Sequence, residues 1–217
     1  EAGLKILRAR KCRVVVEACF TSERLMKNIR SADAVWSLLS HPVPRPAIEA
    51  ATRLKIIANY AVGYNNVDWK AARKKKIWVT HTPGVLTDAT ADLTWALILA
   101  VTRHLVEADA FTRAGKFEGW ASDLFLGSGL QGKTLGIFGM GRIGRAVAVR
   151  GKAFGMNIIY HNRSRLAASV EKKFGAQHVS FPALLRLSDG LTIHAPLTKE
   201  TRGCFGKKEF AAMKRGA

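Results

Sequence analysis

Short apolar runs and segments of helical period alternate from one end of this 217-residue chain to the other, and that alternation admits few folds. An apolar run of four or five residues bounded by turn chemistry reads as a buried strand. Apolar positions three and four apart read as a helix packed on one face. Strands are expected at 13–17, 34–39, 55–59, 77–80, 134–138, 157–161 and 191–194. Helices are expected to start near Ser22, Pro46, Asp68, Thr87, Gly141, Arg165 and Gly206, with residues 1–10 forming another. Such a succession is the pattern of an α/β protein with parallel sheets. Residues 87–113 keep helical spacing throughout, which predicts one long helix. The turn residues Thr82-Pro83-Gly84 stand just before it, so a boundary is expected between domains 1–83 and 84–217.

At 48% hydrophobic residues the chain has enough apolar surface for a core in each domain. The longest apolar stretch, residues 93–101, is too short to span a bilayer, and no secretory signal leads the chain, so no membrane partner and a cytoplasmic location are expected. Cys12, Cys19 and Cys204 are odd in number and lack a CxxC pair, which argues against a disulfide framework and against a bound metal. The 35 Lys and Arg against 16 Asp and Glu give a net charge of +19, which raises nucleic acid as a partner. The basic residues are dispersed, however, and the densest run, Arg73-Lys74-Lys75-Lys76, has no aromatics within it. Attraction of small anions is the better reading of this charge.

Within 134–154 the sequence becomes specific. A strand-like TLGIF is followed by Gly139-Met140-Gly141-Arg142-Ile143-Gly144 and then by a helix-like segment. In that setting a GxGxxG pattern reads as a dinucleotide cradle. Gly139 permits the tight turn, Gly141 lets backbone approach a pyrophosphate, and Gly144 lets helix and strand pack closely. The free amides at the helix start would hold the pyrophosphate. The next strand should end beside the adenosine ribose, and there the chain reads Tyr160-His161-Asn162-Arg163-Ser164-Arg165. A carboxylate would favour ribose hydroxyls and repel a 2′-phosphate, and none is present. Asn162, Arg163, Ser164 and Arg165 instead suit a phosphate dianion, so NADP(H) is expected over NAD(H).

Four ordered motifs carry a family resemblance: Asn59 to Asp68 (NYAVGYNNVD), Thr82 to Asp92 (TPGVLTDATAD), the glycine motif, and His194 to Thr198 (HAPLT). Together the sequence resembles the D-isomer-specific 2-hydroxyacid dehydrogenases, in particular the glyoxylate/hydroxypyruvate reductase branch, over nearly the whole chain. The resemblance implies two doubly wound, Rossmann-like domains: a substrate domain in 1–83 and a dinucleotide-binding domain in 84–217. It implies that the amides of Val62 and Gly63 anchor the substrate carboxylate. Thr87 is expected near the cofactor, Met140, Gly141, Arg142 and Ile143 at the pyrophosphate, and Pro196 and Thr201 beside the nicotinamide ribose.

The resemblance also places the arginine that polarises the substrate carbonyl, and the histidine and carboxylate that donate the proton, beyond Ala217. Both domains are accordingly expected to be incomplete, the first lacking its initial strand. No catalytic residue is assigned within the chain; His194 and His81 are read as a strand-end and a turn residue. The function implied is NADPH-dependent reduction of glyoxylate or hydroxypyruvate to a D-2-hydroxy acid, with the isolated chain inactive and small anionic 2-oxo and 2-hydroxy acids as ligands. A homodimer is expected through the long helix and the loop around Trp120 and Phe125. Competing readings are a nucleotide-sensing, corepressor-like binding protein on the same fold and a truncated product without function.

Overall fold

The computed structural model describes residues 1–17 and 19–217. The chain divides into two compact units, Glu1–Pro83 and Gly84–Ala217. In the first, helices α1 (Ala2–Ala9) and α2 (Ser22–Ile29) precede strand β1 (Ala34–Leu38), helix α3 (Arg45–Ala50), strand β2 (Ile56–Tyr60), helix α4 (Trp69–Lys74) and strand β3 (Trp78–Thr80). The strands form a parallel sheet of order β1-β2-β3. Local chemistry sets the helix ends. Thr21 Oγ1 accepts the Arg24 amide at the start of α2, and Asp68 Oδ1 accepts the Ala71 amide at the start of α4. Lys75 Nζ donates to the carbonyls of Ile48, Glu49 and Ala51 at 3.1, 2.9 and 2.6 Å, capping the end of α3. Ile29, Ile48 and Ala72 pack with Val35 and Ile57 on one face of the sheet. Trp36, Leu38, Tyr60 and Trp78 stand exposed on the other.

Residues 13–17, expected as a strand, join no ladder among the described residues. A β-branched run becomes a strand only where a neighbour pairs with its backbone, and the sheet of this unit starts at β1. Val15 and Val16 are exposed accordingly.

The second unit opens with α5 (Thr87–Thr102) and α6 (Leu105–Arg113). It continues with β4 (Thr134–Phe138), α7 (Arg142–Ala153), β5 (Asn157–His161), α8 (Ala168–Phe174), β6 (Ala176–His178), α9 (Phe181–Leu187), β7 (Gly190–Ile193) and α10 (Lys207–Ala211). Its sheet is parallel with order β6-β5-β4-β7. The chain thus winds outward from β4 through β5 to β6 and returns to the opposite side for β7. That reversal creates a switch point at the carboxyl end of β4, where open α/β sheets bind their ligands. Leu135, Ile137 and Ile158 pack under Val147 and Ala148 of α7 and Ala91 and Trp95 of α5. The Trp95 indole N–H donates to Val147 O at 3.1 Å, which ties α5 to α7. Among the described residues, no helix is long and apolar enough to cross a membrane.

The single helix expected over 87–113 is two helices. His104 takes a left-handed φ of 53°. Thr102 O, which a continuous helix would use internally, accepts the Ser128 amide at 2.9 Å, and Gly127 lies so close that a Cβ there would sit 2.4 Å from the same oxygen. A tertiary contact therefore ends α5, and apolar spacing carries no record of it. Helix α8 starts at Ala168 rather than near Arg165 because Arg165 and Leu166 are held in the preceding turn. Strand β6 and helix α9 lie outside the elements that periodicity predicts. The start of α9 has a legible signal all the same, since Ser180 Oγ accepts the Ala183 amide and a proline follows in the first turn.

Candidate functional site

Three loops leave the carboxyl ends of β4, β5 and β7, and contacts among them build one site. The turn after β4 needs its glycines for different reasons. Gly139 has φ 103°, and a Cβ there would lie 2.5 Å from Ala195 N and 2.6 Å from the His194 carbonyl carbon. Its missing side chain is what lets the segment after β7 cross the turn. A Cβ on Gly144 would lie 2.3 Å from Gly139 O, so α7 packs directly on the turn. Gly141 differs from both, because its Cβ position has no atom within 4 Å and opens to solvent. The amides of Gly141, Arg142 and Ile143, at the start of α7, find no acceptor among the described residues. Open space above unpaired N–H groups at a helix start fits a pyrophosphate.

Met140 and Asn162 have other work than the sequence reading assigns them. The Met140 side chain is 1% exposed and lies in the core, and its amide donates to Asn162 Oδ1 at 2.7 Å. This amide is therefore spent inside the protein, and the Asn162 carbonyl joins the β5 loop to the glycine turn. Only the Asn162 amide nitrogen stays free for a ligand.

Arg165 is likewise engaged. Its Nε and Nη2 donate to Glu171 Oε1 and Oε2 at 3.0 and 2.8 Å. Glu171 is 9% exposed and also accepts from the Tyr160 hydroxyl at 2.7 Å. The Arg165 and Tyr160 hydrogen bonds hold the Glu171 carboxyl down at about 2. Arg163 and Ser164, by contrast, are exposed, with no hydrogen bond or ion pair among the described residues. They are the open cationic and hydroxyl groups of this loop.

After β7, the Thr201 hydroxyl donates to Pro196 O at 2.7 Å and accepts the Thr198 amide at 2.8 Å. Thr201 thus shapes its own loop around Pro196. His194 shares a 2.9 Å hydrogen bond with Thr192, and burial pushes its imidazole pKa down, which disfavours a proton-donor role. Thr87 is the first residue of α5, its amide 3.2 Å from Gly84 O.

In the first unit the turn after β2 has a marked polarity. The carbonyls of Ala61, Val62 and Gly63 accept from Thr82 N at 2.9 Å, His81 Nδ1 at 2.9 Å and Asn59 Nδ2 at 2.8 Å. With all three carbonyls engaged inside, the amides of Val62 and Gly63 find no partner among the described residues. Paired free amides of this kind suit a carboxylate. Asn59 is 2% exposed and its Oδ1 also accepts from Ser37 Oγ and Asn66 Nδ2. Asn59 and Tyr160 open two of the stretches singled out in the sequence but receive no role there, and Glu171 lies outside them. The only available signal is a polar residue at an inward strand position, which Asn59 occupies.

Known proteins resemble this chain in sequence and in fold. Residues 95–217 match the family described as D-isomer specific 2-hydroxyacid dehydrogenase, NAD binding domain. A glyoxylate reductase of Thermococcus litoralis is 52% identical over 197 residues, which are 89% of this chain and 59% of that protein. The chain therefore spans about three fifths of the length of this relative. The crystal structure of TT0316 protein from Thermus thermophilus superposes with a TM-score of 0.91 at 42% identity, covering all of this chain and 68% of that one. That of a glyoxylate reductase from Paecilomyes thermophila gives 0.85 at 35% identity, covering 98% and 66%. With the glycine turn, the β6-β5-β4-β7 sheet and these similarities in agreement, the chain belongs to the D-isomer-specific 2-hydroxyacid dehydrogenase family.

Proposed function

We propose that this chain contributes the cofactor seat and the carboxylate anchor of an NADPH-dependent reductase that converts glyoxylate or hydroxypyruvate to a D-2-hydroxy acid. The observation that carries the reading is the glycine turn, open at Gly141 over free amides and flanked by a β5 loop that offers Arg163 and Ser164 and no carboxylate. In this reading residues 1–83 form the substrate domain and residues 84–217 the dinucleotide-binding domain. Bound NADPH supplies the hydride. The Gly141, Arg142 and Ile143 amides hold its pyrophosphate, and Arg163 and Ser164 select for the 2′-phosphate. Thr87, Pro196 and Thr201 border the cofactor. The Val62 and Gly63 amides hold the carboxylate of the 2-oxo acid, while Asn59 and His81 keep the intervening carbonyls turned away.

Carbonyl polarisation and proton donation are assigned to residues outside 1–217, in the part of the relatives' length that this chain does not match. General acid catalysis alone is worth ~10²- to 10⁴-fold, so residues 1–217 are expected to bind NADPH without appreciable turnover. The test is NADPH oxidation with glyoxylate, hydroxypyruvate and pyruvate, run on this chain and on a version extended as in its relatives. Turnover by the unextended chain refutes this division of labour. Tighter binding of NADH than NADPH at moderate salt refutes the cofactor preference.

A homodimer built on α5 accompanies this reading. Leu93, Leu97 and Val101 recur every fourth residue along α5 and are 60, 59 and 76% exposed, and Trp120 is 87% exposed. An apolar stripe of this kind is a partner surface. Phe125 instead packs edge-on against Phe111 within the unit. Leu97→Glu is expected to shift the sedimenting species from dimer to monomer. A cytoplasmic location accompanies this reading as well, since three cysteines without a CxxC pair suit a reducing compartment.

A further inference from the structure

The loop that follows β5 is pinned at both ends and open in the middle. At one end Asn162 Oδ1 accepts the Met140 amide. At the other, Tyr160 and Glu171 fasten Arg165 and Leu166. Tyr160 is fully buried, and its hydroxyl accepts the Leu166 amide at 2.9 Å while donating to Glu171 Oε1 at 2.7 Å. Both Glu171 oxygens are used, because Arg165 binds them through two nitrogens. Strand β5, the loop and α8 are thereby joined in one network. Between the pins, Arg163 and Ser164 bond to nothing among the described residues. The Arg165 side chain remains 66% exposed, and its Nη1 has no partner among them.

We propose that Tyr160 and Glu171 are positioning residues for cofactor discrimination. They hold Arg165 and the Leu166 backbone so that the loop offers Arg163, Ser164 and the unpaired Arg165 amino group to a 2′-phosphate. The proposal rests on the NADPH reading above. Its physical basis is preorganisation. Two arginines on a free loop lose side-chain and backbone freedom on capturing a phosphate, and a loop already fixed by a buried carboxylate loses less. Charge by itself predicts the opposite effect, since a carboxylate beside Arg165 repels a dianion. The two accounts therefore differ in sign. Glu200, in the loop after β7, has its pKa lowered first by a hydrogen bond from Thr198, with the Arg163 charge a smaller influence.

The experiment is calorimetric titration of the chain with adenosine 2′,5′-bisphosphate and with AMP, which differ in the 2′-phosphate alone. The unsubstituted chain is expected to bind the bisphosphate more tightly. Glu171→Gln is expected to weaken the bisphosphate about tenfold and leave AMP within about twofold. Tyr160→Phe keeps the ring in the core, removes the hydroxyl, and should act in the same direction. A merely structural role would weaken both ligands together, and a pure charge role would tighten the bisphosphate in Glu171→Gln. Either result overturns the proposal, as does an unchanged ratio of the two affinities. If the unsubstituted chain shows no preference between the ligands, it is the NADPH reading that fails. Preference retained in both variants sinks the positioning role alone.

Discussion

Gly144 and Gly141 lie three residues apart in one motif, yet the structure assigns them opposite sensitivities. In Gly144→Ala the new methyl would sit 2.3 Å from Gly139 O and 3.2 Å from Ile137 Cγ2. The oxygen belongs to the backbone of the turn, so either α7 or the turn must retreat by about 1 Å to restore van der Waals contact. Overpacking of this kind costs about 1–3 kcal/mol, which for a unit of this size lowers the melting temperature by roughly 3–12 °C. In Gly141→Ala the methyl meets no atom within 4 Å, and φ of −77° suits alanine. Lower entropy of the unfolded chain favours this variant by about 0.4–1 kcal/mol, and the poorer N-cap offsets it. Its melting temperature should stay near that of the unsubstituted chain. The methyl nevertheless fills the open space above the free amides, so the dissociation constant for NADPH should rise at least about tenfold. Scanning calorimetry and titration of nicotinamide fluorescence read the two quantities separately. Unchanged melting of Gly144→Ala, or unchanged NADPH affinity of Gly141→Ala, refutes the reasoning.

Lys75→Met deprives three carbonyls at the end of α3 of their donor, and should destabilise the first unit by about 1–2 kcal/mol in urea unfolding. An unshifted urea midpoint would show that water replaces the ammonium without loss. Asn59→Leu strands the Ser37 hydroxyl and the Gly63 carbonyl, while Asn66 keeps the carbonyls of Leu38 and His41, for an expected loss of about 2–3 kcal/mol. In the extended enzyme it should also raise the KM for glyoxylate, and an unaltered KM would detach Asn59 from the carboxylate anchor. Glu171 titrates at about 2 in the folded protein, below the usual 4.5. It therefore contributes stability that is fully present above pH 4.5 and lost as pH falls towards 2. Unfolding free energies of the unsubstituted chain and Glu171→Gln should converge across that window, and parallel curves would contradict the assignment.

The order of strands and helices is readable because burial imposes a pattern on the sequence, and six of the seven strands among the described residues announce themselves through it. The glycine motif is readable for a related reason, since one short stretch holds strand, turn and helix start together. Residues 13–17 show where this legibility ends. Three adjacent valines have the composition of a strand, but a strand exists only when another chain segment supplies its hydrogen bonds. The break at His104 is similar, because the carbonyl of Thr102 is taken by Ser128, twenty-six positions further along.

The site divides along the same line. The sequence alone proposed which residues could meet a dinucleotide, because backbone amides at a glycine turn and cationic side chains at a strand end act through type and local spacing, and the family resemblance added those that could meet a carboxylate. Only the tertiary structure decided which of them are free to do so. Met140 spends its amide on Asn162, Arg165 two of its three guanidinium nitrogens on Glu171 and Thr201 its hydroxyl on Pro196. Gly141, Arg163 and the Val62-Gly63 amides are left open. A polar group has few hydrogen bonds to give, and whether they are already given depends on neighbours that sequence order keeps apart.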